Sequence, residues 1–399
     1  MVRPPPIQEP YHVISTPTSA HGLSPLRTVQ VLGHGSAGSA AHVRSLAEGL
    51  VARGVRVTVC ATPETEEAYD FTGAGARFVQ VPPRMDPASV AVLRSACWDA
   101  DLVHAHGLRA GLRASMALRG LRGPRGGRRV PLVITWHTKA HIEGARAGVV
   151  HLMERRVARA AAVVLGACSD LVDRARERGA RDARLAPVAI PRPRSGGTPD
   201  ECEDHDRMRH KERAELGAVD RPLLLAVGRL DPNQGHDLLL DAAHAWCALD
   251  PQPLVAIAGE GEQRTALQRR IDVEQLPVQL LGRRDDVPEL LAAADLVVLP
   301  SRWEARSLIA QEALRAGVPL VATDTGGTRE LVGRAAELVR YGDAAALART
   351  VLALLADPAR RDALSAAGRA QAAGWPSEND TVTQVLSVYD ELTQPIQPV

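Results

Sequence analysis

Short apolar runs recur along this chain, each separated from the next by a helix's length of mixed sequence, and that alternation leaves few folds open. Strands are predicted near 29–32, 55–61, 78–81, 102–104, 132–135 and 162–165, with helices between them. The pattern breaks into Pro, Gly and mixed charge around 191–213, then resumes with strands near 223–227, 254–258, 278–281, 296–299 and 320–322. Strands apolar on both faces need helices on both sides to bury them, so each series reads as a doubly wound parallel sheet. At 399 residues the chain is long enough for two such cores. The expected division is a disordered lead over 1–27, a first domain over 28–190, a linker over 191–214 and a second domain over 215–376. Helices over 344–356, 358–373 and 378–392 close the chain, with Trp375-Pro376 marking a break between the last two.

Hydrophobic residues make up 45% and charged residues 24%, the balance of a soluble globular protein. A net charge of +1 argues against a general nucleic-acid binder. The five cysteines are scattered and show no disulfide or zinc spacing. Met1-Val-Arg-Pro-Pro-Pro lacks the apolar core of a signal peptide, and no run is long enough to cross a bilayer. The expected location is therefore the cytoplasm, with any membrane contact peripheral and on its inner face. Lysine occurs only at Lys139 and Lys211; with so much Ala and Arg, this is the composition of a GC-rich bacterial genome.

The stretch from Leu299 to Gly327 carries the clearest chemistry. A strand ends at Leu299, a polar loop holds Glu304, a helix runs from about 307 to 315 with Glu312 inside it, and another strand follows. Ligands of open α/β sheets bind at the carboxyl ends of strands. Amides of Arg306, Ser307 and Leu308 at the helix start suit a diphosphate. A carboxylate at Glu312 can take both hydroxyls of a ribose, and phosphate plus diol describes a nucleotide.

This arrangement resembles the Glu-x7-Glu motif of family 4 glycosyltransferases, retaining enzymes of the GT-B fold. Pro300-Ser301, Glu312-Ala313, Gly317-x-Pro319 and Gly326-Gly327-x-x-Glu330 fall in register with it. The resemblance implies two Rossmann-like domains facing across a cleft, with the last helix, 377–395, crossing back to the first domain. Gly33-x-Gly-x-x-Gly38 also fits a dinucleotide fingerprint, but no acid ends the second strand at Val59-Cys60-Ala61-Thr62. In the family's pattern Gly38 lies against the donor diphosphate and His42 closes the same motif. Asp101-Leu-Val-His-Ala-His106 and Thr135-Trp-His137 match two further motifs, which place His137 beside the reacting centre. Val227-Gly-Arg-Leu230 supplies Arg229 to the leaving diphosphate, while Gln234 occupies the place of the family's lysine. Arg306 is the expected substitute cation. Glu304 would hold sugar hydroxyls and Glu312 the ribose. The strand-end loops at Glu260 and Arg283 would hold ribose and base.

Four histidines, His104, His106, His137 and His141, lack the carboxylate or cysteine partners of a metal site, and there is no Asp-x-Asp pair. No metal or other cofactor is expected beyond the nucleotide-sugar donor. Residues 102–142 contain no acid and carry Arg109, Arg113, Arg119, Arg122, Arg125, Arg128, Arg129 and Lys139; 109–129 reads either as a solvated loop or as a contact for an anionic partner, an inner-leaflet membrane lipid or a lipid-phosphate acceptor. Sugar, base and acceptor stay open. So do two other activities on this fold, a sugar-nucleotide epimerase and a nucleotide-sugar binder without turnover.

Overall fold

Thirteen strands form two separate, wholly parallel sheets in the computed structural model, which describes residues 25–33, 37–124, 127, 129–139, 145–189 and 201–393. The first sheet contains β1 (Arg27–Leu32), β2 (Arg56–Ala61), β3 (Arg77–Gln80), β4 (Leu102–His106), β5 (Leu132–Trp136), β6 (Val163–Gly166) and β7 (Ala183–Leu185). Their spatial order is β3-β2-β1-β4-β5-β6-β7. The second contains β8 (Leu223–Val227), β9 (Leu254–Ala258), β10 (Val278–Gly282), β11 (Leu296–Leu299), β12 (Leu320–Thr323) and β13 (Glu337–Val339), in the order β10-β9-β8-β11-β12-β13. Strand order reverses between β1 and β4 in one sheet and between β8 and β11 in the other. A crevice opens at such a point, and the carboxyl ends of those four strands flank it.

The central strands are buried end to end, as parallel strands between two helical layers must be. Each sheet has an apolar cluster on either face. One cluster on the first sheet includes Val382, Val385, Val388 and Tyr389 of the last helix, Glu378–Thr393. That helix therefore completes the first domain's core, as the expected crossing required. Gly49 lets helix Ala37–Val51 close onto it, since a Cβ there would run into Val382.

Three expectations need correction. The strand over 29–32 begins earlier, at Arg27, because its amide and guanidinium are held by Asp101 (3.0 and 3.3 Å); the rest of the lead, 1–24, lies outside the described residues. Most of the expected linker is helical: Glu201–Glu215 packs beside helix Val287–Ala293, and Arg209 and Arg213 bond the carbonyls of Ala292 and Ala293 and the carboxylate of Asp295. Residues 190–200 lie outside the described residues. Two short edge strands, β7 and β13, extend sheets that the sequence pattern leaves one strand short.

Candidate active site

Glu304 sits in the loop after β11, half-buried, and one carboxylate oxygen takes two hydrogen bonds. Ser301 Oγ donates at 3.0 Å and Gln234 Nε2 at 3.3 Å, both to Oε1. The other oxygen takes none from the described residues. Burial raises the Glu304 carboxyl above its ordinary range, and the two donors pull it partly back. The residue in the lysine's place therefore aims Glu304, which the sequence did not indicate. The carboxyl ends of four strands, β8 to β11, nest closely to make this possible. Arg302 donates its amide to Asn233 (2.8 Å), Leu230 to Glu260 (3.0 Å) and Gly259 to Gly282 (2.7 Å). Gly326, in the left-handed region (φ 56°), lies where any Cβ would overlap the Glu304 carbonyl.

Helix Leu308–Ala316 starts at Ser307, whose side chain caps Ala310. The amides of Arg306, Ser307 and Leu308 find no backbone acceptor among the described residues, which leaves them available to an anion. Glu312 lies half-buried on the helix, with its carboxyl also raised by burial. Arg229 projects from the end of β8, three-quarters exposed, and pairs with Asp231 at 3.2 Å. Glu260 and Arg283, at the ends of β9 and β10, are exposed and pair with Arg264 and Asp285.

Arg306, the expected diphosphate cation, turns its Nε elsewhere, and its buried Nη2 finds no partner among the described residues. Its guanidinium donates to the Val188 carbonyl (3.0 Å) and lies 5.5 Å from the Trp375 ring, beside a second cation, Arg315, at 5.8 Å. Burial lowers it to about 10, so it stays charged at neutral pH. Bound in this way, it ties the Glu304 loop to the segment leaving the first domain. Trp303 Nε1 donates to Asp170 (2.9 Å) and Ser169 donates its amide to Glu330 (3.0 Å) across the same seam.

Toward the carboxyl ends of β4 and β5, His104, His106 and His137 gather with His42. His141 falls outside the described residues; His42, on helix Ala37–Val51, joins the cluster instead. Gly38 stands at the start of that helix, half-buried. His106 Nδ1 meets His137 Nε2 at 3.2 Å. Burial holds His42 near 4, His104 near 3, and the other two well below the usual imidazole value, so the cluster is neutral at physiological pH. Among the described residues no three His, Cys, Asp or Glu side chains are grouped to hold a metal.

The basic stretch is less uniform than its sequence. Arg113 is buried and bonds the carbonyls of Leu32 and Pro82 (both 3.0 Å), bracing the end of β1. Arg119 and Arg129 instead line a cavity of about 490 Å³ together with Arg156, Arg159 and Arg181, and no acid among the described residues lines it. Arg125 and Arg128 lie outside the described residues. No helix among the described residues is long and apolar enough to cross a membrane.

Two family models match the chain: Glycosyl transferases group 1 over residues 208–371 and a Glycosyl transferase 4-like domain over 37–191. A D-inositol 3-phosphate glycosyltransferase of Xylanimonas cellulosilytica is 32% identical over 294 residues, 66% of this chain and 67% of that protein. The GDP-mannose-dependent monoacylated alpha-(1-6)-phosphatidylinositol monomannoside mannosyltransferase of Corynebacterium glutamicum is 35% identical over 204 residues. That match covers 47% of this chain and spans about half of the relative, 52% of its length. Among solved structures, Anabaena Alr3699/HepE in complex with UDP-glucose superposes with a TM-score of 0.75 at 21% identity, covering 90% of this chain and 99% of that one. WaaG, a glycosyltransferase involved in lipopolysaccharide biosynthesis, gives 0.67 at 18%, covering 93% and 100%.

Proposed function

The chain belongs to the family 4-like glycosyltransferases, and we propose that it moves a sugar, with retention, from a nucleoside-diphosphate sugar to an anionic acceptor. The observation that carries this reading is Glu304, held by Ser301 and Gln234 with one oxygen still open, at the strand end where a nucleotide-sugar's sugar would lie. Glu312 takes the ribose. The amides of Arg306, Ser307 and Leu308 and the cation of Arg229 meet the charge that grows on the diphosphate as its bond to the sugar breaks, an electrostatic lowering of the barrier. His137 faces the reaction from the other domain and accepts a hydrogen bond from a sugar or acceptor hydroxyl. Displacement from the same face leaves the configuration unchanged and lets the leaving phosphate take the acceptor's proton. No divalent ion is required, so a chelator leaves the rate unchanged.

Relatives named for inositol 3-phosphate and for a phosphatidylinositol mannoside support an anionic acceptor. The arginine-lined cavity supports peripheral contact with an anionic inner-leaflet surface. Vesicle sedimentation checks that part: binding that is lost at high salt and in R119Q/R129Q supports it, and equal partitioning onto neutral vesicles removes it.

The central test is a panel of nucleotide-sugars screened for a rise in melting temperature, since a ligand of the native state stabilises by mass action. The best of them is then used in a transfer assay with the product's anomeric configuration read by NMR. Glu304→Gln keeps nucleotide affinity and loses most transfer. Glu312→Ala weakens nucleotide binding by about 1–3 kcal/mol, the scale of a hydrogen bond to a charged group. Binding without transfer in wild type would instead mark a nucleotide-sugar binder, and nucleotide-sugar conversion without acceptor an epimerase.

A further inference from the structure

Gln30 is a fully buried amide between Val29 and Val31 in strand β1. Its Nε2 donates to Tyr389 Oη (3.0 Å) and to Thr28 Oγ1 (3.4 Å), and its Oε1 faces His106 Nε2 (3.1 Å). Tyr389 comes from the crossing helix, and its hydroxyl also meets His104 Nδ1 at 2.7 Å. His106 in turn meets His137 at 3.2 Å. These contacts form an unbroken chain from the last helix to the cleft.

The chemistry of each group fixes the direction of the chain. An amide nitrogen has two protons to place, and both acceptors, Tyr389 and Thr28, lie on one side of Gln30. Turning the amide over would leave one buried N–H without an acceptor, which disfavours that state by about tenfold or more. Oε1 therefore faces His106, and because it can only accept, His106 carries its proton on Nε2. His106 is neutral, so its Nδ1 is a bare acceptor, and the neighbouring Nε2 of His137 must be the donor. Neutral His137 then has no proton left for Nδ1, and that atom makes no bond with the described residues.

We infer that Gln30 and Tyr389 are positioning residues that fix His137 as the Nε2–H tautomer, so that it offers a lone pair, and not a proton, from Nδ1. Only the catalytic consequence rests on the proposed function: His137 is then built to accept from a hydroxyl as the sugar bond breaks. The phenol acts through the amide. With Tyr389→Phe, either orientation of Gln30 leaves one N–H unmatched, so the bias disappears. Gln30→Met breaks the chain at its centre.

The test is long-range proton–nitrogen NMR on the full chain labelled in its histidines, with His137 assigned by its absence in His137→Ala. Wild type shows a protonated Nε2 and a bare Nδ1 on His137 at neutral pH. Tyr389→Phe and Gln30→Met show averaged signals from both tautomers, while melting curves report whether each variant is folded. Turnover falls with the competent fraction, about twofold for an even mixture, and nucleotide affinity is unchanged. A proton on Nδ1 in wild type, or an unaltered His137 in folded Tyr389→Phe, overturns the inference. Should Gln30→Met fail to fold, Tyr389→Phe, which removes a single oxygen, decides alone. The two readings fail separately: a chain with the Nε2–H tautomer and no transferase activity sinks only the function, and an active one with the opposite tautomer sinks only this inference.

Discussion

Gln234 changes what a missing lysine means. Its amide donates to Glu304, whose carboxyl is raised by burial, so it stabilises the ionised form. Replacing it with Ala removes that donor and raises Glu304 further; replacing it with Lys supplies a cation and lowers it. The acid limb of kcat/KM should move to higher pH in Gln234→Ala and to lower pH in Gln234→Lys, and three superimposable profiles would refute the coupling. Arg306 makes the opposite case. Since it bonds Val188 and lies over Trp375, Arg306→Ala should cost about 1–3 kcal/mol of stability, read by denaturant titration. Lys should not restore it, lacking the planar guanidinium. Glu304, Glu312 and His137 were visible in the sequence because each sits in a local motif. Gln30 was not, because its partner lies 359 positions away and nothing nearby marks an amide between two valines as anything but an exception.

At the scale of elements, the inner strands were legible because two-sided burial leaves an apolar signature. β7 and β13 were not: each is three residues long, with one polar position and partial exposure. The helix Glu201–Glu215 escaped for a different reason. Its residues are mostly charged, and it docks through Arg209 and Arg213 instead of an apolar stripe. Asp295 receives both arginines and the Leu223 amide (2.8 Å), so the helix and the start of β8 share one acceptor. Asp295→Ala should lower stability by about 2–3 kcal/mol, the value of hydrogen bonds to a charged group. Proteolysis should then open the chain first near this helix; cleavage elsewhere would show that the helix is held by something other than Asp295.

For the molecule as a whole, the histidine cluster sets a limit on acid tolerance. Well above pH 6.5 these imidazoles are neutral both folded and unfolded. Below it the unfolded chain takes up protons that folded His42, near 4, and His104, near 3, refuse. Stability therefore falls as the pH drops, by about 1.4 kcal/mol per unit for each of the two. Buried carboxyls such as Glu304 oppose this only by gaining protons more readily when folded. The melting temperature should decline between pH 6.5 and 5, and a flat profile would contradict a neutral cluster. Tyr389 has a consequence in time as well. The first domain is completed only after the second has been made, since its core waits for Tyr389, which follows every strand of the second sheet. At ordinary rates of synthesis, the 359 positions between Gln30 and Tyr389 take about 20–70 s to make. Through that interval the nascent first sheet must hold the Gln30 amide and the His104 imidazole without the phenol that pairs with both.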